Sequence, residues 1–446
     1  MLTEPSWMYD QFSFPAEADL VASLRASGGD EYAIKTMRNH WAGYIPDAAL
    51  DALQALGVTH CRIPVGYWIA EAPSVPMGAE GVPSMYTFGF NHEGFATGAM
   101  NYLEAALAGL KKRGIKALVD VHALPGGGSQ CQSYAGWQVP YPLFWSHSPP
   151  ADNTTAIPGC GGGGGGPYRT TRGSGKTWLQ VGEEAILALG QWVVALEANA
   201  SLSGTVVGLE VANEPGLQTG GLQPYIERLL LDTVPPLQAM FSAGGVATSV
   251  TVNFIGPNDV GAGQWLAQQV AAGTFNSSRL VVDFHKYYNW DGSESWQELA
   301  AKVCGTTFAS ADWAQYTQHG LLTVVGEWSC STNLGAKAFT DLSSPAVVSR
   351  LKTLYANQMS LFSAPEAGSS GQHHWSLRMG SGWDPRPTPS APQGQQAAGS
   401  AWDRSLPGFS FGVWSLGELI RVGVAQPLAL LNVTGVCKCS GCSVNG

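Results

Sequence analysis

The chain has 446 residues, 45% of them hydrophobic, enough to bury a large core. Its formal net charge of −10 argues against nucleic acid or an acidic polymer as partner, because phosphate backbones are held by clusters of Lys and Arg. Charged residues make up only 13%, beside 56 glycines and 16 tryptophans, a balance compatible with a neutral substrate such as a glycan.

Residues 2–14 carry Trp7, Tyr9, Phe12 and Phe14 without a clear period. A helix-like segment covers 30–41. A clearer one covers 46–56, with Ala49, Leu50, Leu53 and Leu56 on one face and Gly57 as its C-cap. Residues 58–65 read as a strand that ends at Pro64, and Gly66-Tyr67-Trp68 follow at its rim. After a Gly/Pro-rich loop over 71–90, an amphipathic helix is predicted over 99–112 and a strand over 115–122. Residues 123–176 form a very long loop containing six consecutive glycines, 161–166. It reads as an insertion, with disorder expected around the glycines. A helix over 178–196 leads into the apolar strand 205–211, which ends in Asn213-Glu214-Pro215. The helix over 222–241 reads as interrupted at Pro235-Pro236. Strands follow over 249–255, 280–288 and 321–328. Then come a helix over 345–361, a last strand over 371–378, a helix over 414–422 and a Cys-rich tail, 433–446.

Seven strands alternating with helices predict a parallel sheet, and an eighth would close a (β/α)8 TIM barrel. The missing strand is expected before Asp30, with only its polar end near Glu4-Pro5-Ser6-Trp7 present. No composition break divides the chain, so residues 1–446 read as one catalytic domain with a Gly-rich insertion over 150–176.

Glu214 and Glu327 each stand at the C-terminal end of a predicted strand, the rim where α/β barrels keep their chemistry. Two carboxyls on rigid supports suit glycosidic bond cleavage, one as nucleophile and one as acid/base. The Asn213 amide can bind a sugar 2-OH. Arg62 can hold the nucleophile ionised by charge pairing, and Tyr287 can donate to it. His122 and His285 suit hydrogen bonds to substrate better than a metal. Trp375 and Trp68 are rim tryptophans that could stack on sugar faces.

Arg62-Ile-Pro-Val-Gly-Tyr-Trp68, Asp120-Val-His122, Asn213-Glu214-Pro215, His285-Lys-Tyr287 and Gly326-Glu327-Trp328 together resemble glycoside hydrolase family 5, a (β/α)8 family of clan A. Residues 30–41 and Trp375-Ser-Leu-Arg with Trp383 resemble its fungal-type exo-β-1,3-glucanase branch. The resemblance implies Glu214 as acid/base and Glu327 as nucleophile. It also implies Arg62, His122, Asn213, His285, Tyr287 and Trp375 around the sugar at the cleavage site, with Glu4 as a hydroxyl ligand there. Three departures stand out: the family's first strand is absent, Ser6 intrudes between Pro5 and Trp7, and the poly-Gly loop is longer.

The expected activity is therefore a retaining glycoside hydrolase, exo-acting on β-1,3-glucan or its oligosaccharides by double displacement. The same chemistry admits β-1,6-glucan, a glucosylated lipid or sterol, or mannan. A non-catalytic glycan-binding barrel is the reading from another class, and the retained Glu pair opposes it. No cofactor or metal is called for. His92-Glu93 has Ala96 where a zincin helix needs its second His, and Gly173-Ser-Gly175-Lys176-Thr177 lacks a P-loop's first glycine at Thr170. No apolar run appears long enough to span a bilayer, and a monomer is expected. Eight cysteines and sequons at Asn153, Asn199, Asn276 and Asn432 point to a secreted glycoprotein whose leader is absent from this sequence. Cys437, Cys439 and Cys442 are expected to pair with Cys304, Cys330 or each other.

Overall fold

The computed structural model describes residues 16–70, 95–96, 98–145, 160, 177–288, 295–304, 314–332, 334, 341–363, 369–377 and 411–427. Two helices, α1 (Glu17–Tyr44) and α2 (Asp47–Leu56), precede β1 (His60–Gly66). Strands and helices then alternate: α3 (Ala99–Lys112), β2 (Lys116–Ala123), α4 (Trp178–Leu196), β3 (Val206–Glu210), α5 (Gln223–Ala243), β4 (Ser249–Asn253) and α6 (Ala262–Ala271). The series continues with β5 (Leu280–His285), α7 (Trp296–Cys304), β6 (Leu322–Trp328), α8 (Pro345–Phe362), β7 (Ser369–His374), α9 (Phe411–Trp414) and α10 (Leu416–Arg421). The seven strands form one sheet in sequence order, every neighbouring pair parallel. Some Cα atoms of β1 and β7 come within 8 Å, so the sheet curls into a nearly closed barrel. This is the expected TIM-type architecture, one strand short among the described residues.

Among the described residues, nothing fills the seam between β1 and β7. A cavity of about 520 Å³ opens there, lined by Leu50 and Leu53 of α2, Leu110 of α3, Arg62 and Pro64 of β1, and Trp375 beyond β7. Among the described residues β1 pairs with β2 alone and β7 with β6 alone, which leaves one edge of each strand open.

Buried apolar side chains from β1 to β6 and from the inner faces of the long helices form one continuous hydrophobic cluster. Each fully buried Val or Leu contributes roughly 1.5–3 kcal/mol against staying in water. Local signals set several boundaries. Gly57 caps α2 at φ 83°, ψ 20°, as its position predicts. Thr177 and Gln180 close a reciprocal capping box at the start of α4.

Several expectations need correction. Residues 17–28, to which the sequence reading assigned no element, are helical; Leu20, Val21 and Leu24 form a buried helical face that Gly28-Gly29 masks in the sequence. The expected strand end near Glu4-Pro5-Ser6-Trp7 lies outside the described residues. Gly29, at φ 82° and ψ 179°, is the non-helical joint inside α1. Pro235 and Pro236 lie within an unbroken α5. The carbonyls that lose their i+4 donors there belong to exposed Leu231 and half-buried Asp232, which water can reach. The helices α6 and α7 were not anticipated. The long loop is ordered over 124–145; its poly-Gly run lies outside the described residues, as do Glu4, Trp383 and the Cys-rich tail. One helix, α4, is long and apolar enough to cross a membrane by length and composition only, a test that a core helix also passes. Over half of it is buried, packed against α5 and the turns at 67–69 and 143–145. Cys131 and Cys160 form a disulfide, whereas Cys61 and buried Cys330 are free thiols, so Cys330 does not pair with the tail. Trp68 is buried and stacks on Phe95 with ring centroids 3.7 Å apart, which makes it a core residue rather than a sugar platform.

Candidate active site

Arg62 on β1 projects into the barrel, where its side chain is 2% exposed. It is the hub of the site. Nη1 donates to Glu327 Oε1 at 2.7 Å, Nε and Nη2 donate to the two oxygens of Glu210 at 2.8 and 3.0 Å, and Nη2 also donates to Asn213 Oδ1 at 2.8 Å. Asp120 Oδ2 lies 3.1 Å from Nη2 and Asp283 Oδ2 lies 3.5 Å from Nε. Burial opposes the guanidinium charge, but four carboxylates, Asp120, Glu210, Glu327 and Asp283, keep its pKa well above the ordinary value. Removing such a partner from a buried cluster costs on the order of 3–5 kcal/mol, because its counter-charges stay behind.

Glu327 lies near the end of β6 and is 5% exposed. Its second oxygen accepts from the Tyr287 hydroxyl at 2.7 Å. Glu214 lies four residues past β3, on a segment still tied to the sheet by the Asn213 N–H to Val121 carbonyl bond of 3.1 Å. Its φ of 39° is left-handed, a conformation a side chain adopts at a cost of order 1–3 kcal/mol and one that clusters at functional sites. His285 Nδ1 lies 2.8 Å from Glu214 Oε1, and the Tyr134 hydroxyl donates to Oε2 at 2.8 Å. Single ligand atoms of Glu214, His285 and Glu327 all lie within 4.8 Å of one another.

His122 is oriented from both sides. Its Nδ1 lies 2.6 Å from Asp120 Oδ2, and the Asn213 amide nitrogen lies 3.4 Å from Nε2. That pattern fits a proton on Nδ1 and an acceptor at Nε2. The half-buried Trp375 ring lies parallel to His122, 5.2 Å away.

Charge is divided unevenly. Burial raises the pKa of Glu214, but hydrogen bonding and charge from His285, then Tyr134 and His122, bring it below the ordinary carboxylate value. Burial lowers His285, but Glu327, Asp283 and Glu214 push it well above an ordinary imidazole. The contact between them favours the imidazolium form of His285 and the carboxylate form of Glu214. Glu210 is displaced the other way, well above its usual range, by burial and by Asp120 and Asp283.

The sequence model of Cellulase (glycosyl hydrolase family 5) matches residues 26–361. The chain belongs to glycosyl hydrolase family 5. Relatives of this family-5 chain include "Probable glucan 1,3-beta-glucosidase A" of Aspergillus niger, 25% identical over 318 residues, covering 68% of this chain and 56% of the relative. The protein of the same name from Aspergillus clavatus is 22% identical over 321 residues, covering 69% and 59%. "Glucan endo-1,6-beta-glucosidase B" of Emericella nidulans is 21% identical over 316 residues, covering 71% and 62%. The chain thus spans less than two thirds of the length of these relatives. A family 5 mannosidase structure from Rhizomucor miehei aligns with a TM-score of 0.47 at 13% identity, over 86% of this chain and 87% of that one.

Within this family-5 site, Arg62, Asn213, Glu214, His285, Tyr287 and Glu327 are joined by hydrogen bonds, His122 adjoins Asn213, and Trp375 stacks on His122. Glu4 lies outside the described residues. Sequence reasoning missed Asp120, Glu210 and Asp283 as Arg62 partners. A signal existed: polar residues at alternate positions of apolar strands, Asp120/His122 and Asp283/His285, point into the barrel. It also missed Tyr134 and Ser129, for which a Gly/Ser-rich loop gives no periodic signal. Two residue sets have spacing that could admit an ion, Glu210/Asp283/His285 and Glu214/His285/Glu327. In the first, Glu210 gives both oxygens to Arg62, whose charge repels a cation. In the second, donors already occupy both oxygens of each carboxyl.

Proposed function

We propose that the chain is a retaining glycoside hydrolase of β-glucosidic bonds, exo-acting on β-1,3-glucan or its oligosaccharides. One observation carries the reading: carboxyl oxygens of Glu214 and Glu327, 113 positions apart in the chain (327 − 214), lie within 4.8 Å of each other at one end of the barrel. Retaining enzymes hold their two carboxyls about 5–5.5 Å apart, whereas inverting ones need about 6.5–9.5 Å to seat a water.

Glu327, held by Arg62 and Tyr287, attacks the anomeric carbon while Glu214 gives a proton to the leaving oxygen. Glu214, now a carboxylate, then takes a proton from the water that displaces Glu327. Asn213 and His122 face the same space and suit the sugar hydroxyls, and Trp375 suits its apolar face. The names of the two Aspergillus relatives favour β-1,3-linked glucan. The Emericella relative supports β-1,6-glucan as the second reading. The disulfide in the described loop supports an oxidising compartment, hence secretion. The single hydrophobic cluster supports one catalytic domain.

The test is turnover of laminari-oligosaccharides, gentio-oligosaccharides and aryl β-glucosides by wild type, Glu214→Gln and Glu327→Ala. Losses of about 10³-fold or more are expected in both variants with the fold retained, and β-anomer is expected as first product by NMR. An α-anomer as first product, or near-normal turnover in either variant, would rule the mechanism out. Glycan binding without hydrolysis would instead favour a non-catalytic barrel.

A further inference from the structure

The ordered part of the long loop grips Glu214 at both ends. Ser129 Oγ donates to the Glu214 main-chain carbonyl at 2.5 Å, and the Tyr134 hydroxyl donates to the carboxyl at 2.8 Å. The loop is itself tied down. The Cys131 N–H bonds the Val139 carbonyl at 2.8 Å, Trp145 Nε1 and the Gly216 N–H both donate to the Gly128 carbonyl, and the disulfide joins Cys131 to Cys160. The Tyr134 ring stands edge-on to His122, with centroids 5.0 Å apart. A loop with this many anchors does not carry a hydroxyl to the acid/base carboxyl merely to fill space.

We propose that Tyr134 is a positioning residue: its hydroxyl orients the Glu214 carboxyl and tunes its proton transfer to the glycosidic oxygen. The inference rests on the acid/base assignment made above. When Glu214 gives up its proton, the C1–O bond breaks, the Glu327–C1 bond forms, and Tyr134 donates to the carboxylate that remains. In the second step water adds to C1, its proton returns to Glu214, and the Glu327–C1 bond breaks. Tyr134 therefore favours the ionised form of Glu214, which makes it a stronger acid in the first step. Burial and the Glu214 charge keep the Tyr134 hydroxyl well above the ordinary phenol range, so it stays a donor throughout.

The other charged or titratable groups facing Glu214 are His122 and Asp120 from β2, His285 and Asp283 from β5 with Tyr287 beyond it, Glu327 from β6 and Arg62 from β1. His285 is the stronger influence. A Tyr134 change should therefore move the Glu214 titration without abolishing it.

The experiment replaces Tyr134→Phe, which keeps the ring and removes the hydroxyl, with Tyr134→Met as a second variant should the first fold poorly. Two quantities are read: the pH profile of kcat/KM, and the Glu214 carboxyl titration by 13C NMR, assigned with Glu214→Gln. Both should move up by about one pH unit, the size expected on losing a charged hydrogen bond. The kcat should fall about tenfold for an alkyl leaving group and little for a dinitrophenyl one, which needs no proton. Unmoved titrations, or equal losses on both leaving groups, overturn the proposal and leave the hydrolase reading intact. If wild type cleaves no glycoside, the hydrolase reading fails, and the NMR titration still decides whether Tyr134 governs the Glu214 carboxyl.

Discussion

Position 326 has no room for a side chain. A Cβ there would lie 1.9 Å from Asp283 Oδ2, a side chain fixed between Arg62 and His285. Gly326→Ala should therefore destabilise the protein by about 1–3 kcal/mol through overpacking. It should also cost turnover by pushing Asp283 against the hub. Urea unfolding alongside steady-state kinetics checks this, and unchanged values for both would show that the cluster yields freely. Much of the site at this scale was legible in the sequence. Glu214 and Glu327 stood out because polar residues at the ends of apolar strands have few structural uses. Their supports were partly legible: Arg62 and Tyr287 lie in strand-end motifs, whereas Glu210 lies inside an apolar strand and is explained only by the guanidinium it meets.

At the scale of elements, periodic segments were readable and punctuated ones were not. β1 to β6 were found because each is a short, mostly apolar run between turn signals, whereas β7, Ser369–His374, has no apolar residue. The first half of α1 was missed because Gly28-Gly29 reads as a stop, although the helix resumes beyond it. The segment 124–145 has no periodicity at all. Its order comes from long-range bonds to Glu214 and Gly216 and from a disulfide whose partner lies 29 residues away. A cross-link closing a loop of that length stabilises by about 3–4 kcal/mol in the chain-entropy account. Its effect should be local here, because the loop lies outside the barrel sheet. Cys131→Ser should lower kcat several-fold, through loss of the Tyr134 contact, with far-UV circular dichroism unchanged. Normal kcat in that variant would show that the hydrogen bonds alone hold the loop.

At the scale of the whole molecule, alternation predicted the parallel barrel, and seven strands are present among the described residues. The expected end of the missing strand, near Glu4-Pro5-Ser6-Trp7, lies outside the described residues, and α1 occupies 17–44 ahead of β1. The cavity beside β1 and β7 follows from that count: two strands each keep one edge without a partner among the described residues. Among the described residues the strand ladder is interrupted only there, so local opening should cost least along that line.

Arg62 borders this cavity while holding both Glu327 and the Glu210 carboxylate. Warming should therefore part the molecule first beside its own active centre. Heat inactivation is expected to precede the loss of helical signal by several degrees, and coincident curves would argue otherwise. A protein built this way stops working before it comes apart, and fastening those two edges together should lengthen its working life.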